Sequence, residues 1–149
     1  AILRPTSPFR SAAMIRRAWD RLQTLSGIDS VRAVRKCREH PGKMWVLGAD
    51  KQSMTPLLDQ SHLPVPWHGS QYQALPEVYV QDSSLEIVWL DAVRKYNSRE
   101  GRTLAPIFPE GMEGFSLDYE DEWLLVEQYV SSGRATLPRI SQAPFDGNI

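Results

Sequence analysis

The sequence has almost no thiol chemistry to offer: one cysteine, Cys37, in 149 residues. A lone thiol makes no intramolecular disulfide and no four-thiolate zinc site. It points to a reducing, cytoplasmic setting rather than a secreted one. Long apolar runs are missing as well. None approaches the roughly 18–20 residues that a helix needs to cross a bilayer, so no membrane association is expected. The opening, Ala1-Ile2-Leu3-Arg4-Pro5, lacks the apolar stretch of a signal peptide. Gly-x-Ser-x-Gly, the Walker loop and Gly-x-Gly-x-x-Gly are all absent, which removes the motif basis for hydrolase and dinucleotide readings. Histidine is scarce, and His62 and His68, six apart in a loop with no nearby cysteine, match no common zinc spacing.

What remains has the composition of one ordinary globular domain, 42% hydrophobic and 23% charged. The net charge of −1 hides an uneven distribution. Residues 1–43 carry ten Lys/Arg against three acids, net +7, and the rest of the chain seven against fifteen, net −8. Such a basic segment suits a phosphate or carboxylate ligand. Its basic residues are not interleaved with aromatics, so no nucleic-acid partner is expected.

Hydrophobic spacing sets the expected elements. Ile2-Leu3 reads as the tail of a buried strand. Ser11 caps a helix over about 12–25, with Met14, Ile15, Ala18, Trp19, Leu22 and Leu25 at helical period. Asp29 to Cys37 alternates as a strand, and strand, helix and strand together suggest an α/β layer fold. Met44 to Leu47 is a short strand. Residues 62–70, with Pro64, Pro66 and Gly69, form an extended arm. Glu77 to Trp89 reads as two short strands broken at Gln81-Asp82-Ser83, followed by a short helix over 90–96 and a strand over 105–108. Asp118 begins and caps a last helix carrying Trp123, Val126, Tyr129 and Val130. Residues 134–149 read as a surface tail.

Three places carry chemistry. Arg4-Pro5-Thr6-Ser7-Pro8-Phe9-Arg10 lies at the end of a presumed central strand, where open α/β sheets bind ligands. Its two hydroxyls are held between prolines and flanked by fixed positive charge, or else the stretch is only a rigid turn before a helix. His40-Pro41-Gly42-Lys43 sets a lysine after a tight turn, either solvated or facing a carboxylate. Asp118 heads an acidic run that complements a helix N-terminus. The sharper reading of Asp118 is a Mg²⁺ ligand, since that ion takes hard oxygen donors.

Four ordered segments resemble the C-terminal half of the N-acylneuraminate cytidylyltransferases (CMP-sialic acid synthetases). They are Leu3 to Arg10, His40-Pro41-Gly42-Lys43-Met44-Trp45, Gln73-Ala74-Leu75-Pro76-Glu77-Val78-Tyr79 and Leu117-Asp118-Tyr119-Glu120-Asp121, and the likeness runs from residue 1 to about 130. The resemblance implies a three-layer α/β nucleotidyltransferase fold, here N-terminally truncated. It implies an activity in which an acidic sugar's anomeric hydroxyl attacks the α-phosphate of CTP, with Mg²⁺ and release of pyrophosphate. It also implies a homodimer whose arm, about 45–73, lies against the partner. Carried over by position, Arg4, Thr6, Ser7, Lys43, Gln73 and Glu86 fall on the sugar site and Asp118 on the metal. No catalytic residue is assigned.

The departures concentrate on ligand contacts. Arg4 stands for a glutamine, Tyr72 for an arginine, Asp82-Ser83 for Asn-Gly, Glu86 for an aromatic, and Ser116 for the first aspartate of an Asp-x-Asp metal pair. The Gly-, Arg- and Lys-rich loop that cradles the triphosphate in this family has no counterpart here, so the chain is expected to begin after that half. The alternative reading is a noncatalytic remnant that serves as a dimerisation or ligand-binding module.

Overall fold

Met14, Ala18 and Leu22 recur every four residues, so one helix face is wholly apolar and must be covered. The computed structural model describes residues 1–141 and buries all three side chains. The elements are α1 (Ala12–Thr24), β1 (Ser30–Lys36), β2 (Trp45–Leu47), β3 (Met54–Pro56), β4 (Tyr79–Val88), α2 (Leu90–Tyr96), β5 (Leu104–Ile107) and α3 (Glu120–Ser131). The protein is mixed α/β, with three helices, a small mixed sheet and a hairpin among the described residues.

Two compact units divide the described residues: 1–35 together with the chain from 81 on, and 36–80. In the first, the sheet order is β4-β1-β5. β1 and β5 run parallel, with Ser30 opposite Leu104 and Ala33 opposite Ile107. Ile2 adds a single antiparallel bridge to Glu86 on β4. The core joins the α1 stripe to Val31, Ala33, Leu85, Ile87, Ala105 and Ile107. No helix among the described residues is long and apolar enough to cross a membrane.

Local chemistry sets the ends. Met14 N–H donates to Ser11 Oγ at 3.0 Å, as the cap reading requires. Ser11 Oγ donates in turn to the Glu113 carboxylate, which Arg17 Nη2 meets at 2.6 Å. Burial pushes the Glu113 carboxyl up, but the Ser11 hydroxyl, the Glu110 N–H and Arg17 outweigh it and hold it below its ordinary value.

Two expectations need correcting. Residues 81–83 do not break the strand, because β4 runs unbroken through them. Asp82 Oδ1 accepts the Ser84 N–H at 2.8 Å, so the polar side chain satisfies the backbone locally instead of ending the strand. Asp118 does not cap α3, which starts at Glu120. The Glu122 carboxylate reaches back to the N–H groups of Asp118 at 2.6 Å and Tyr119 at 2.9 Å, leaving Asp118's own carboxylate outside the cap. The expected surface tail is described only to residue 141, and 142–149 lie outside the described residues.

In the second unit, the antiparallel β2–β3 hairpin pairs Trp45 with Pro56 and Leu47 with Met54. The expected arm, 45–73, falls within this unit. The buried residues of unit 36–80, among those described, are His40, Gly42 and Gln60, so polar hooks replace an apolar core. Gly42 N–H donates to His40 Nδ1 at 3.0 Å, which leaves Nε2 to donate to Pro76 O at 3.1 Å. Gln60 Nε2 donates to Gly42 O at 2.8 Å, and its Oε1 accepts the His68 N–H at 3.2 Å. Trp67 packs against Gly42 closely enough that a methyl group there would meet it at 2.8 Å.

The loop between α2 and β5 depends on one carboxylate. Asp29 Oδ2 accepts the N–H groups of Arg102 at 2.7 Å and Thr103 at 3.0 Å, and these bonds hold its carboxyl below the ordinary value. A depressed folded-state value means that this contribution to stability is full above the ordinary carboxylate range and lost as pH falls through the lowered one. Urea titrations of wild type and Asp29→Ala between neutral pH and about pH 3 test this. The variant is expected to be less stable at neutral pH and to show a shallower acid decline; parallel curves would contradict the assignment.

Candidate functional site

The two sequence segments with most chemistry meet in the first unit. Leu117 N–H donates to Thr6 O at 2.8 Å, tying the Pro-Thr-Ser-Pro loop to the stretch before α3. Phe9 meets Phe115 edge-to-face at 6.0 Å and steadies the same junction. Thr6 and Asp118 thereby line one open cleft of about 460 Å³, together with Pro5, Leu117, Tyr119 and Trp123. A neighbouring apolar cavity of about 480 Å³ shares Pro5, Leu117 and Trp123 and continues toward Val126, Val130 and Leu137.

Behind the Thr6 loop lies a buried polar layer. On β4, Asp82, Ser84 and Glu86 occupy alternate positions and so share one sheet face, while Leu85 and Ile87 face the apolar core. All five are buried. Glu86 is the hub: its carboxylate takes Arg32 Nη2 at 2.9 Å and Arg4 Nη2 at 3.7 Å. Arg32 also reaches Glu100 at 3.2 Å and Gln81 Oε1 at 3.0 Å. Arg10 Nη1 donates to Ser84 O at 2.8 Å and Arg4 O at 2.9 Å, and burial lowers the Arg10 pKa. Four oxygens in this region are buried with no hydrogen-bond partner: Ser7 Oγ, Asp82 Oδ2, Ser84 Oγ and Ser116 Oγ.

Of the residues singled out in sequence, Thr6 and Asp118 share the cleft, and Arg4 and Glu86 share an ion pair. Ser7 is buried beside Thr6 rather than presented to solvent. The other two lie in the second unit. Lys43 Nζ donates to Ser70 O at 2.6 Å and His68 O at 3.3 Å and sits 5.3 Å from the Tyr72 ring centroid. Gln73 is exposed on the turn Tyr72–Ala74. Ser84 and Arg32 were not singled out in sequence; Arg10 entered only as positive charge flanking the Thr6 and Ser7 hydroxyls, and Asp82 only as a departure from the family pattern. The signal for the β4 pair was the period-two polar pattern Asp82, Ser84, Glu86, whose burial no composition reveals.

Among the described residues, no three His, Cys, Asp or Glu side chains stand close enough to enclose a metal ion by themselves. A comparison with protein-family models finds none that matches the chain, and a comparison with curated proteins finds no similar sequence.

The Glu86 hub makes a quantitative prediction. Glu86→Ala leaves the Arg32 guanidinium, 13% exposed, without its closest anion, and is expected to cost about 3 kcal/mol. Arg4→Gln removes a longer contact from a half-exposed side chain and is expected to cost less than about 1 kcal/mol. Equal losses in equilibrium urea unfolding would show that Arg32 does not depend on Glu86.

Proposed function

We propose that this chain is the sugar-binding and self-associating part of a cytidylyltransferase-like enzyme that activates an acidic, sialic-acid-like sugar with CTP. The finer fold assignment, a three-layer nucleotidyltransferase domain, is part of the same proposal. Its support is the ordered set of four motifs. The observation that carries it is the Leu117 N–H to Thr6 O bond, which brings two of those motifs, from opposite ends of the chain, to one cleft.

In this reading the Thr6 hydroxyl and the Pro5-Thr6 backbone orient the sugar, and the Trp123 ring gives its apolar face a floor. Arg4 and Arg32 neutralise Glu86, so this buried acid does not repel an acidic ligand. Asp118 would hold Mg²⁺ through its exposed carboxylate, a hard oxygen donor on the cleft that Thr6 also lines. When bound, the ion stabilises negative charge on the transferring phosphate.

Nucleotidyl transfer also needs the triphosphate positioned, and these 149 residues hold no Gly-rich loop for it. The purified chain is therefore expected to release no pyrophosphate from CTP. It is expected to bind N-acetylneuraminic acid with MgCl₂ present, shifting the amide resonances of Thr6, Leu117 and Asp118. Unperturbed resonances at millimolar sugar would overturn the sugar site.

A second reading, a dimerisation module, is favoured by the unit 36–80. It buries no large apolar side chain and leaves Trp45, Val46, Leu47, Met54, Leu58 and Val65 exposed. A unit of that size cannot hold itself together without covering such a surface. Both readings predict a homodimer through the hairpin. Light scattering is expected to give twice the chain mass, and Leu47→Glu to give monomer; a monomeric wild type would refute this interface.

A further inference from the structure

The two cavities beside α3 share Pro5, Leu117 and Trp123 as walls and so form two lobes of one trough along that helix. Their volumes, about 480 and 460 Å³, are those of small-molecule sites. Most of the lining is apolar. The charged groups in it are all carboxylates: Glu127 in one lobe, Asp118 and Glu120 in the other. No lysine, arginine or histidine lines either lobe.

Helix geometry sets the spacing of these charges. Glu120, Trp123 and Glu127 stand at i, i+3 and i+7 on α3, so one helix face carries all three. At about 1.5 Å of rise per residue the two acidic positions are about 10.5 Å apart along the axis, with the indole between them. Trp123 Nε1–H donates to Glu127 Oε1 at 3.0 Å, which holds ring and acid together at the trough. Neither acid, nor Asp118, is in an ion pair among the described residues. Of the arginines close in sequence to the lining, Arg4 pairs with Glu86, Arg134 lies over the Tyr129 ring at 5.5 Å, and Arg139 lines neither lobe. Residues 118–131 hold five acids and no Lys, Arg or His, so no cation on this helix offsets them.

An anion finds no counter-charge in such a trough, and a neutral hydrophobe leaves its carboxylates unmatched. A chain that is apolar in the middle and cationic at both ends matches every wall. We infer that the trough binds a linear diamine, the chemistry that polyamines share, with one ammonium at Glu127, the other at Glu120 and the methylene chain across Trp123. The face of the indole attracts the ammonium groups on either side of it. The methylenes gain burial against the apolar lining. Neither Mg²⁺ nor metal ligation by Asp118 is needed, so the diamine site stands or falls apart from the sugar reading.

The test is an NMR titration of the full 149-residue chain at low ionic strength, read on the Trp123 indole N–H. The probe is 1,8-diaminooctane, whose extended chain approaches the spacing of the two acids. It is expected to shift that resonance and the amides of Glu120 and Glu127. Two controls separate its features: 1,3-diaminopropane has the same charge and is too short to span, and octylamine has the same chain and one charge. Each is expected to bind about fivefold more weakly, and octanoate is expected not to bind. Glu120→Gln and Glu127→Gln change exposed side chains, so folding is not at stake, and each is expected to weaken the long diamine about fivefold. Equal affinity for the two diamines would reduce the site to diffuse charge attraction and overturn the inference. So would octylamine binding as tightly as the long diamine, unchanged affinity in both variants, or an unshifted Trp123 indole at millimolar diamine. If N-acetylneuraminic acid binds and the diamine does not, only this inference falls; if the diamine binds and the sugar does not, only the sugar reading falls.

Discussion

A small sheet with helices against it has to bury both of its faces, and in this protein the two faces of β4 are buried by different chemistry. Leu85 and Ile87 join the α1 stripe in an apolar core. Asp82, Ser84 and Glu86 point the other way and are just as deeply covered. A buried carboxylate is tolerated only with its charge matched, and Glu86 is matched by Arg32 from the adjacent strand and Arg4 from the N-terminal segment. The rest of the first unit follows from that hub. Arg4 is drawn to the Glu86 carboxylate while its carbonyl is held by Arg10, and the Arg10 side chain in turn grips Ser84 O. The Pro-Thr-Ser-Pro loop between Arg4 and Arg10 is therefore anchored at both ends before any ligand is considered, which is the preorganisation that a binding loop needs.

The second unit shows the opposite solution. Residues 36–80 hold their turns with His40, Gln60 and Lys43, each bonded to backbone groups from other parts of the same unit. Such bonds fix conformation but contribute little net stability, because the unfolded chain exchanges them with water. Exposed Trp45, Val46 and Leu47 remain as the apolar surface still to be covered. Lys43 also illustrates why a motif residue is not yet a site residue. Its ammonium already meets two carbonyls and an aromatic face, so its role in the described residues is to hold the turn near Ser70.

Local elements were legible wherever one physical signal dominated. α1, with its Ser11 cap and four-residue apolar spacing, was expected over 12–25 and lies at Ala12–Thr24. β1, α2 and β5 fall within a residue or so of the expected spans, which is the ordinary uncertainty of element ends. Two misreadings share a cause. Gln81-Asp82-Ser83 looked like a break, and Asp118 looked like a cap, because both judgements took polar side chains as local signals. In the folded chain Asp82 turns inward to the Ser84 N–H, and the cap of α3 comes from Glu122, one turn later. Side chains of the same type can serve a turn, a cap or a buried layer, and only their neighbours in space decide among these.

The amino-acid sequence by itself determined the element periods, the mixed α/β class, the basic N-terminal third and the presence of Thr6, Ser7 and Asp118 as candidates, because each of these rests on neighbours within a few residues of one another. Tertiary structure alone decided that Thr6 and Asp118 share a cleft, that Glu86 is neutralised by Arg32 and Arg4, and that Asp82 lies buried over Gly114 with one oxygen unmatched. Those facts join residues from four distant segments. Burial and charge pairing depend on the distance between side chains in space, and spacing along the chain does not encode it.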